Sequence, residues 1–222
     1  QEPLRGSSQL VLQGACQHLQ VLNGLVFSPQ GSAADGMPWY KAAGKEFYLY
    51  HDADCSGKGA AARWIIDDTM PTVTRPKDLD ADGDCHYLAR VDSGGAAKPP
   101  ASGDWTMFCG AAWQTGMLSL APKFVKITTG KCADYGRVPV RDAGTCTAAA
   151  GDMNLAITTV SVQEGPSRPE GCAWDAAHQS LHLANPATSG GVGAVGDLQP
   201  LCDLQVATIA PQAAHAGGVI SA

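Results

Sequence analysis

Eight cysteines divide four and four along the chain, Cys16, Cys55, Cys85 and Cys109 in the first half and Cys132, Cys146, Cys172 and Cys202 in the second, and no two of them form a CxxC pair. An even set of this kind in a loop-rich, acidic chain reads as a disulfide framework formed in an oxidising compartment, rather than as a zinc site or a redox dithiol. If each half carries its own two bridges, about a hundred conceivable connectivities shrink to a handful. The length agrees with two modules, since 222 residues suit two units of roughly 110, near the commonest domain size. With 26 glycines and 14 prolines, much of the chain must be turn and loop, so small cores need covalent staples. The expected division is an all-β module over residues 1–118, a small α+β module over 119–206 and an uncharged tail over 207–222.

Fifteen basic and 21 acidic residues give a formal charge of −6. Without a basic cluster to follow phosphates, nucleic acid is not an expected partner. No apolar run approaches the roughly 20 residues that span a bilayer as a helix, so no transmembrane segment is expected. The chain opens Gln1-Glu2-Pro3 without a basic-then-apolar leader, as expected if a targeting peptide has already been removed. Asn23, Asn154 and Asn185 all lack the hydroxyl residue of a glycosylation sequon, which leaves the extracellular space and an organelle lumen, the thylakoid lumen among them, as equal expectations.

Short aromatic and β-branched runs separated by turn signals make the first half all-β: residues 46–52, 63–68, 85–93 and 104–113, with Asn23-Gly24 predicting a tight hairpin turn. In the run 47–50, Tyr48 and Tyr50 alternate with Phe47 and Leu49, so one pair faces a core and the other a second face or the underside of a loop. Trp39, Trp64, Trp105 and Trp113 are expected core anchors. In the second half, residues 124–132 read as the first strand. A helix follows around the alanine run 147–150, capped by Asp142 or Thr145 and weakened by Gly151. Further strands are expected at 156–162, 180–185 and 201–208. The glycine-rich stretch 187–199 has no lysine or βαβ frame for phosphate and reads as a mobile surface loop.

The sharpest local motif is DLDADGDC, where Asp78, Asp80, Asp82 and Asp84 surround Gly83. Alternate carboxylates about a glycine turn converge on a hard cation, and structural calcium is the cofactor this pattern suggests. The twelfth position is Ala89 instead of a bidentate glutamate, so a complete EF-hand is excluded. The competing reading is a solvated turn whose aspartates cap backbone amides. A second acidic turn, Asp52 and Asp54 beside Cys55, would join the first if Cys55 pairs with Cys85. His178 and His182, four apart in an apparent strand, would stand about 13 Å apart and make zinc improbable. His51 and His86 read as polar neighbours of the acidic turns. The sequence has no GxSxG elbow or HExxH motif, and bridged cysteines leave no thiol nucleophile; distant carboxylates such as Asp67, Asp104 and Glu164 are the remaining route to a glycosidase.

The run from Val11 to Trp113, with GMPWYK, FYLYHDADCSG, RWIIDD, DADGDC and PPASGDWTMFCGAAW, resembles a module of secreted dinoflagellate and other marine-protist proteins. The second half, with ITTGKCADYG, RPEGCAW, LHLAN and LCDL, looks like a second protist module and is loosely similar to PAN/apple domains, which are adhesive. These resemblances imply extracellular or lumenal recognition modules and supply no catalytic residues. The favoured bridges are Cys16–Cys109, joining the first and last strands of module one, Cys55–Cys85, Cys146–Cys172, tying helix to strand, and Cys132–Cys202, closing module two. The expected function is that of a non-enzymatic structural or assembly protein docking on other proteins. Its partner would be a membrane complex such as an algal photosystem with its antenna, with docking assisted by the tail 207–222, which lacks Asp, Glu, Lys and Arg. The alternative is a carbohydrate-binding module of a cell covering, which requires at least two coplanar, exposed aromatics.

Overall fold

The computed structural model describes Gly6, residues 8–92 and residues 94–205. The tail 207–222 lies outside the described residues. Eight strands follow one another around a closed antiparallel barrel in chain order: β1 (Leu10–Gln13), β2 (Val26–Ser32), β3 (Pro38–Ala42), β4 (Tyr48–Asp52), β5 (Arg63–Asp67), β6 (Ala89–Asp92), β7 (Ser102–Phe108) and β8 (Trp113–Pro122). β1 closes on β8, with Leu12 opposite Leu120, so the barrel leaves no open sheet edge.

Strand alternation sorts the barrel's residues onto two faces. Phe27, Tyr40, Leu49, Trp64, Trp105 and Leu118 belong to one buried cluster inside the barrel. An eight-stranded barrel is just wide enough for side chains to fill, and residues of this size fill it. One residue out of phase, Tyr48, Tyr50 and Ile65 form a second buried cluster with Trp39 and Leu79 on the outer face. Leu79 comes from the long β5–β6 connection, residues 68–88, which folds over β4 and β5 as a flap and is tied down by Cys55–Cys85.

A single residue, Lys123, separates the barrel from β9 (Phe124–Lys126). The Lys123 amide donates to Gln9 O at 2.8 Å, and its carbonyl accepts from Leu204 N and Arg137 Nη1. Its ammonium pairs with Asp203. The second unit adds β10 (Val138–Pro139), α1 (Ala143–Asp152), β11 (Val160–Gln163), β12 (Cys172–Asp175), β13 (Ser180–Ala184) and β14 (Leu198–Asp203). Its sheet has the order β10-β14-β12-β13-β11, with β9 also paired to β14. Asp142 starts the helix by accepting a hydrogen bond from Thr145 N at 2.8 Å, as an N-cap does. Cys146, Ala149 and Ala150 of the helix pack with Phe124, Trp174 and Leu201. The architecture is therefore a β-rich barrel followed by a small α+β unit.

The bridges are Cys16–Cys109, Cys55–Cys85, Cys132–Cys202 and Cys146–Cys172, the pairs favoured from the sequence, and none crosses between the units. Other expectations change. Asn23 has φ −64°, which a type I′ turn does not allow; its amide instead clamps both backbone groups of Ala15, after a 3₁₀ turn over Gln17–Leu22. The run 104–113 is the end of one strand, a turn and the start of the next, since Cys109 N bonds to Ala112 O. The barrel ends at Pro122, not at 118, because residues 119–122 pair with β1. The glycine-rich loop is anchored: Ala194 N donates to Gly130 O, and a Cβ on Gly193 would fall 2.1 Å from that oxygen, so close backbone approach accounts for that glycine. Trp39, Trp64 and Trp105 are buried, whereas Trp113 is exposed.

Neighbouring residues on β8 test the alternation. Leu118→Ala, inside the barrel, is expected to cost about 2–5 kcal/mol, and Met117→Ala, on its surface, less than about 0.5 kcal/mol, measured by denaturant unfolding.

Candidate functional site

The flap brings the two acidic turns together against the outer face of the barrel. Asp52, at the end of β4, accepts from Asp54 N and Leu79 N, both at 2.8 Å, and so holds the flap to the strand. Asp54 accepts from Gly59 N at 2.8 Å and Ala60 N at 2.7 Å, and Asp78 N donates back to the Asp54 carbonyl. These two aspartates are thus committed to backbone capping. Asp67, on β5 beneath the flap, accepts from the Tyr50 hydroxyl at 2.8 Å.

Within the flap the DxDxDG turn aims three carboxylates at one point. One oxygen each from Asp78, Asp80 and Asp82 lies within 4.8 Å of the other two. Asp78 Oδ1 accepts from Gly83 N at 3.0 Å, and Asp82 accepts from Asp84 N through Oδ1 and meets His86 Nδ1 at 2.6 Å through Oδ2. Asp80 is different, because its Oδ1 is buried without a hydrogen-bond partner. Asp84, the fourth residue of the sequence-predicted set, is not in the group: its Oδ1 turns back to cap Cys85 N at 2.9 Å.

Burial and like charge act together on this turn. Burial first, then the charges of Asp82 and Asp67, push the Asp80 carboxyl up to about 7. Burial also raises Asp67 and Asp52, and it raises the Tyr50 hydroxyl, on which the Asp67 charge acts in the same direction. The hydrogen bond to His86 holds Asp82 low and raises His86 in return. A hard divalent cation would replace the repulsion among the three carboxylates with attraction and supply Asp80 Oδ1 with a partner. Asp67 is the charge acting on Asp80 that the motif did not reveal. Its only sequence signal is its place at the end of RWIID, one strand position out of phase with Trp64 and Ile66.

A second feature is an aromatic surface on the β7–β8 hairpin. Trp113 is 47% exposed and Met117 61% exposed. Tyr87 and Phe108 support the Trp113 ring at centroid distances of 5.3 and 5.5 Å, tilted by 60° and 62°. Arg63 lies over Tyr87 and bonds its hydroxyl at 2.9 Å. Tyr87 belongs to the flap, so this surface and the acidic turn share one loop, with His86 between them. The tilt means that Trp113 and Tyr87 do not form a coplanar sugar platform.

The other residues singled out from the sequence are dispersed. His51 is buried, with Nδ1 3.1 Å from Asp35, its ring against Trp64 and its Nε2 unpartnered. Asp67 lies beneath the flap, Asp104 on β7 and Glu164 just beyond β11, on three different parts of the molecule. No helix among the described residues is long and apolar enough to cross a membrane. No family model matches the chain, and neither a curated protein nor a solved structure shows significant similarity to it.

The raised Asp80 carboxyl fixes the sign of a pH effect. A folded-state value near 7 against an unfolded value of about 4 means that the folded state holds the proton more tightly. In chelator, the stability of the native chain relative to Asp80→Asn should therefore fall as the pH rises from about 4 to about 7 and level off above that range. Thermal melts of both chains across that range check it.

Proposed function

We propose that this chain is a non-catalytic structural protein of an oxidising compartment that docks on other proteins through the aromatic surface of the β7–β8 hairpin. The observation that carries this reading is the exposure of Trp113 and Met117 on the outer face of β8, with Tyr87 and Phe108 against the Trp113 ring. Exposed aromatic and thioether groups gathered in one patch are characteristic of protein interfaces. Four disulfides support the oxidising compartment, and the resemblance to secreted protist modules supports the extracellular space or an organelle lumen. The lumenal face of a large membrane complex, such as an algal photosystem with its antenna, is the partner class this reading favours, with the uncharged tail 207–222 as a second point of attachment.

The test is native purification from the source, with a photocrosslinking residue at position 113 to map what lies against it. Stoichiometric partners crosslinked at 113 and lost in Trp113→Ser/Met117→Ser, with the melting temperature preserved, are the expected result. A monomer, or a partner retained by the double variant, would overturn it. Deleting residues 207–222 separates the contribution of the tail. Carbohydrate binding is the second reading, favoured by the exposed Trp113 face but not by its tilt to Tyr87; glycan binding abolished by Trp113→Ser would favour it.

The cation at Asp78, Asp80 and Asp82 is proposed to be calcium, acting structurally to fasten the flap. Calcium at a hundred times its dissociation constant would stabilise the fold by about 2.7 kcal/mol. Chelator is then expected to lower the melting temperature of the native chain and leave Asp80→Ala/Asp82→Ala unchanged. An equal response in both would leave only a capped polar turn.

A further inference from the structure

The β12–β13 hairpin brings two imidazoles, His178 and His182, to one carboxylate oxygen of Asp175, groups of a different chemical kind from the acidic flap. Its last pair, Asp175 and Ser180, encloses a four-residue turn containing His178, with Gln179 at φ +48°. His178 therefore lies in the turn, not on the strand, and the separation of about 13 Å expected for a fully extended segment does not apply. Asp175 Oδ1 accepts from Ala177 N and His178 N, each at 3.0 Å, which fixes the carboxylate and leaves Oδ2 for side chains. Oδ2 is 2.9 Å from His178 Nδ1 and 3.8 Å from His182 Nε2.

The neighbouring strand sets the orientation of His182. Ser161, its register partner on β11, places Oγ 2.9 Å from His182 Nδ1 and 3.3 Å from the Leu181 carbonyl. With the serine proton given to that carbonyl, the serine oxygen accepts from His182 Nδ1–H, and the lone pair falls on Nε2. Ser180 Oγ is 2.9 Å from that Nε2, as a donor to the lone pair would be. An imidazole held through one nitrogen, with its second nitrogen facing a carboxylate, is the arrangement that outer partners impose on histidine ligands in metal sites.

We propose that Asp175, His178 and His182 form a site for a borderline divalent transition metal such as Zn²⁺. Asp175 Oδ2 and His182 Nε2 already face each other. His178, 79% exposed, completes the set by swinging its ring off the hydrogen bond to Asp175, and Ser180 Oγ or solvent takes the fourth position. Two nitrogen donors and one carboxylate select zinc, cobalt or copper over the hard cations suited to the acidic flap.

The experiment titrates the full-length untagged chain with Zn²⁺ by calorimetry and with Co²⁺ by visible absorption, alongside ring-nitrogen NMR. One Zn²⁺ per chain with a shifted His182 Nε2 signal is expected. His178→Gln, at a surface position that leaves folding intact, and His182→Gln should each weaken binding at least about 10-fold, and Ser161→Ala, which removes the partner of His182 Nδ1, by about 10-fold. Asp80→Asn/Asp82→Asn should leave zinc affinity unchanged, which separates this site from the flap. Absence of Zn²⁺ binding, or binding that both histidine variants retain, would overturn the proposal.

Discussion

Covering the outer face of β4 and β5 is the constraint on which the rest of the first unit depends. A closed barrel normally buries one face of each strand and leaves the other to solvent, and here the outer face carries Trp39, Tyr48, Tyr50 and Ile65. Left open, it would be an apolar patch of the kind that drives association. Leu79 fills it from the flap, Asp52 fastens the flap backbone, and Cys55–Cys85 closes it covalently. The segment that covers the apolar patch also carries the carboxylates, and drawing it down concentrates negative charge over a partly dehydrated surface. Apolar burial and carboxylate repulsion are thus opposed in one loop.

The two units satisfy their cores differently. The barrel depends on large aromatic side chains, and its bridges lie outside the central layer, at a turn and at the flap. The second unit has few large residues and compensates by placing its cystines in the core, with Cys146, Cys172 and Cys202 fully buried. A helix of alanines can approach its sheet only closely, and the Cys146–Cys172 bridge fills the contact that larger residues would otherwise make.

Much of this was legible in the residues. Alternation of Tyr48 and Tyr50 with Leu49 announced a strand with two buried faces, and the acidic spacing around Gly83 announced the converging carboxylates. Closure of the barrel was not legible, because pairing of β1 with β8 depends on residues more than a hundred positions apart and leaves no local pattern. Asn23 misled because its side chain serves Ala15, a use that sequence neighbours do not disclose. Trp113 misled because indole size argues for burial while its register on β8 puts it outside. Asp84 shows the limit of a motif: spacing brings a carboxylate into the loop, but the Cys85 amide competes for it successfully.

The partnership of β9 with β14 has a consequence for how the chain is made. Once Pro122 has left the ribosome, every strand of the barrel has its neighbours, and the first unit can close on its own. β9 follows immediately, yet its partner residues Leu201–Asp203 are synthesised about 75 residues later. At bacterial-to-eukaryotic elongation rates of about 5–20 residues per second, Phe124–Lys126 waits several seconds as an unpaired strand beside a finished barrel. Cys132 waits with it for Cys202. The nascent second unit is therefore the interval in which this protein is open to mispaired cystines, and the stage at which an oxidative folding catalyst would have most to correct.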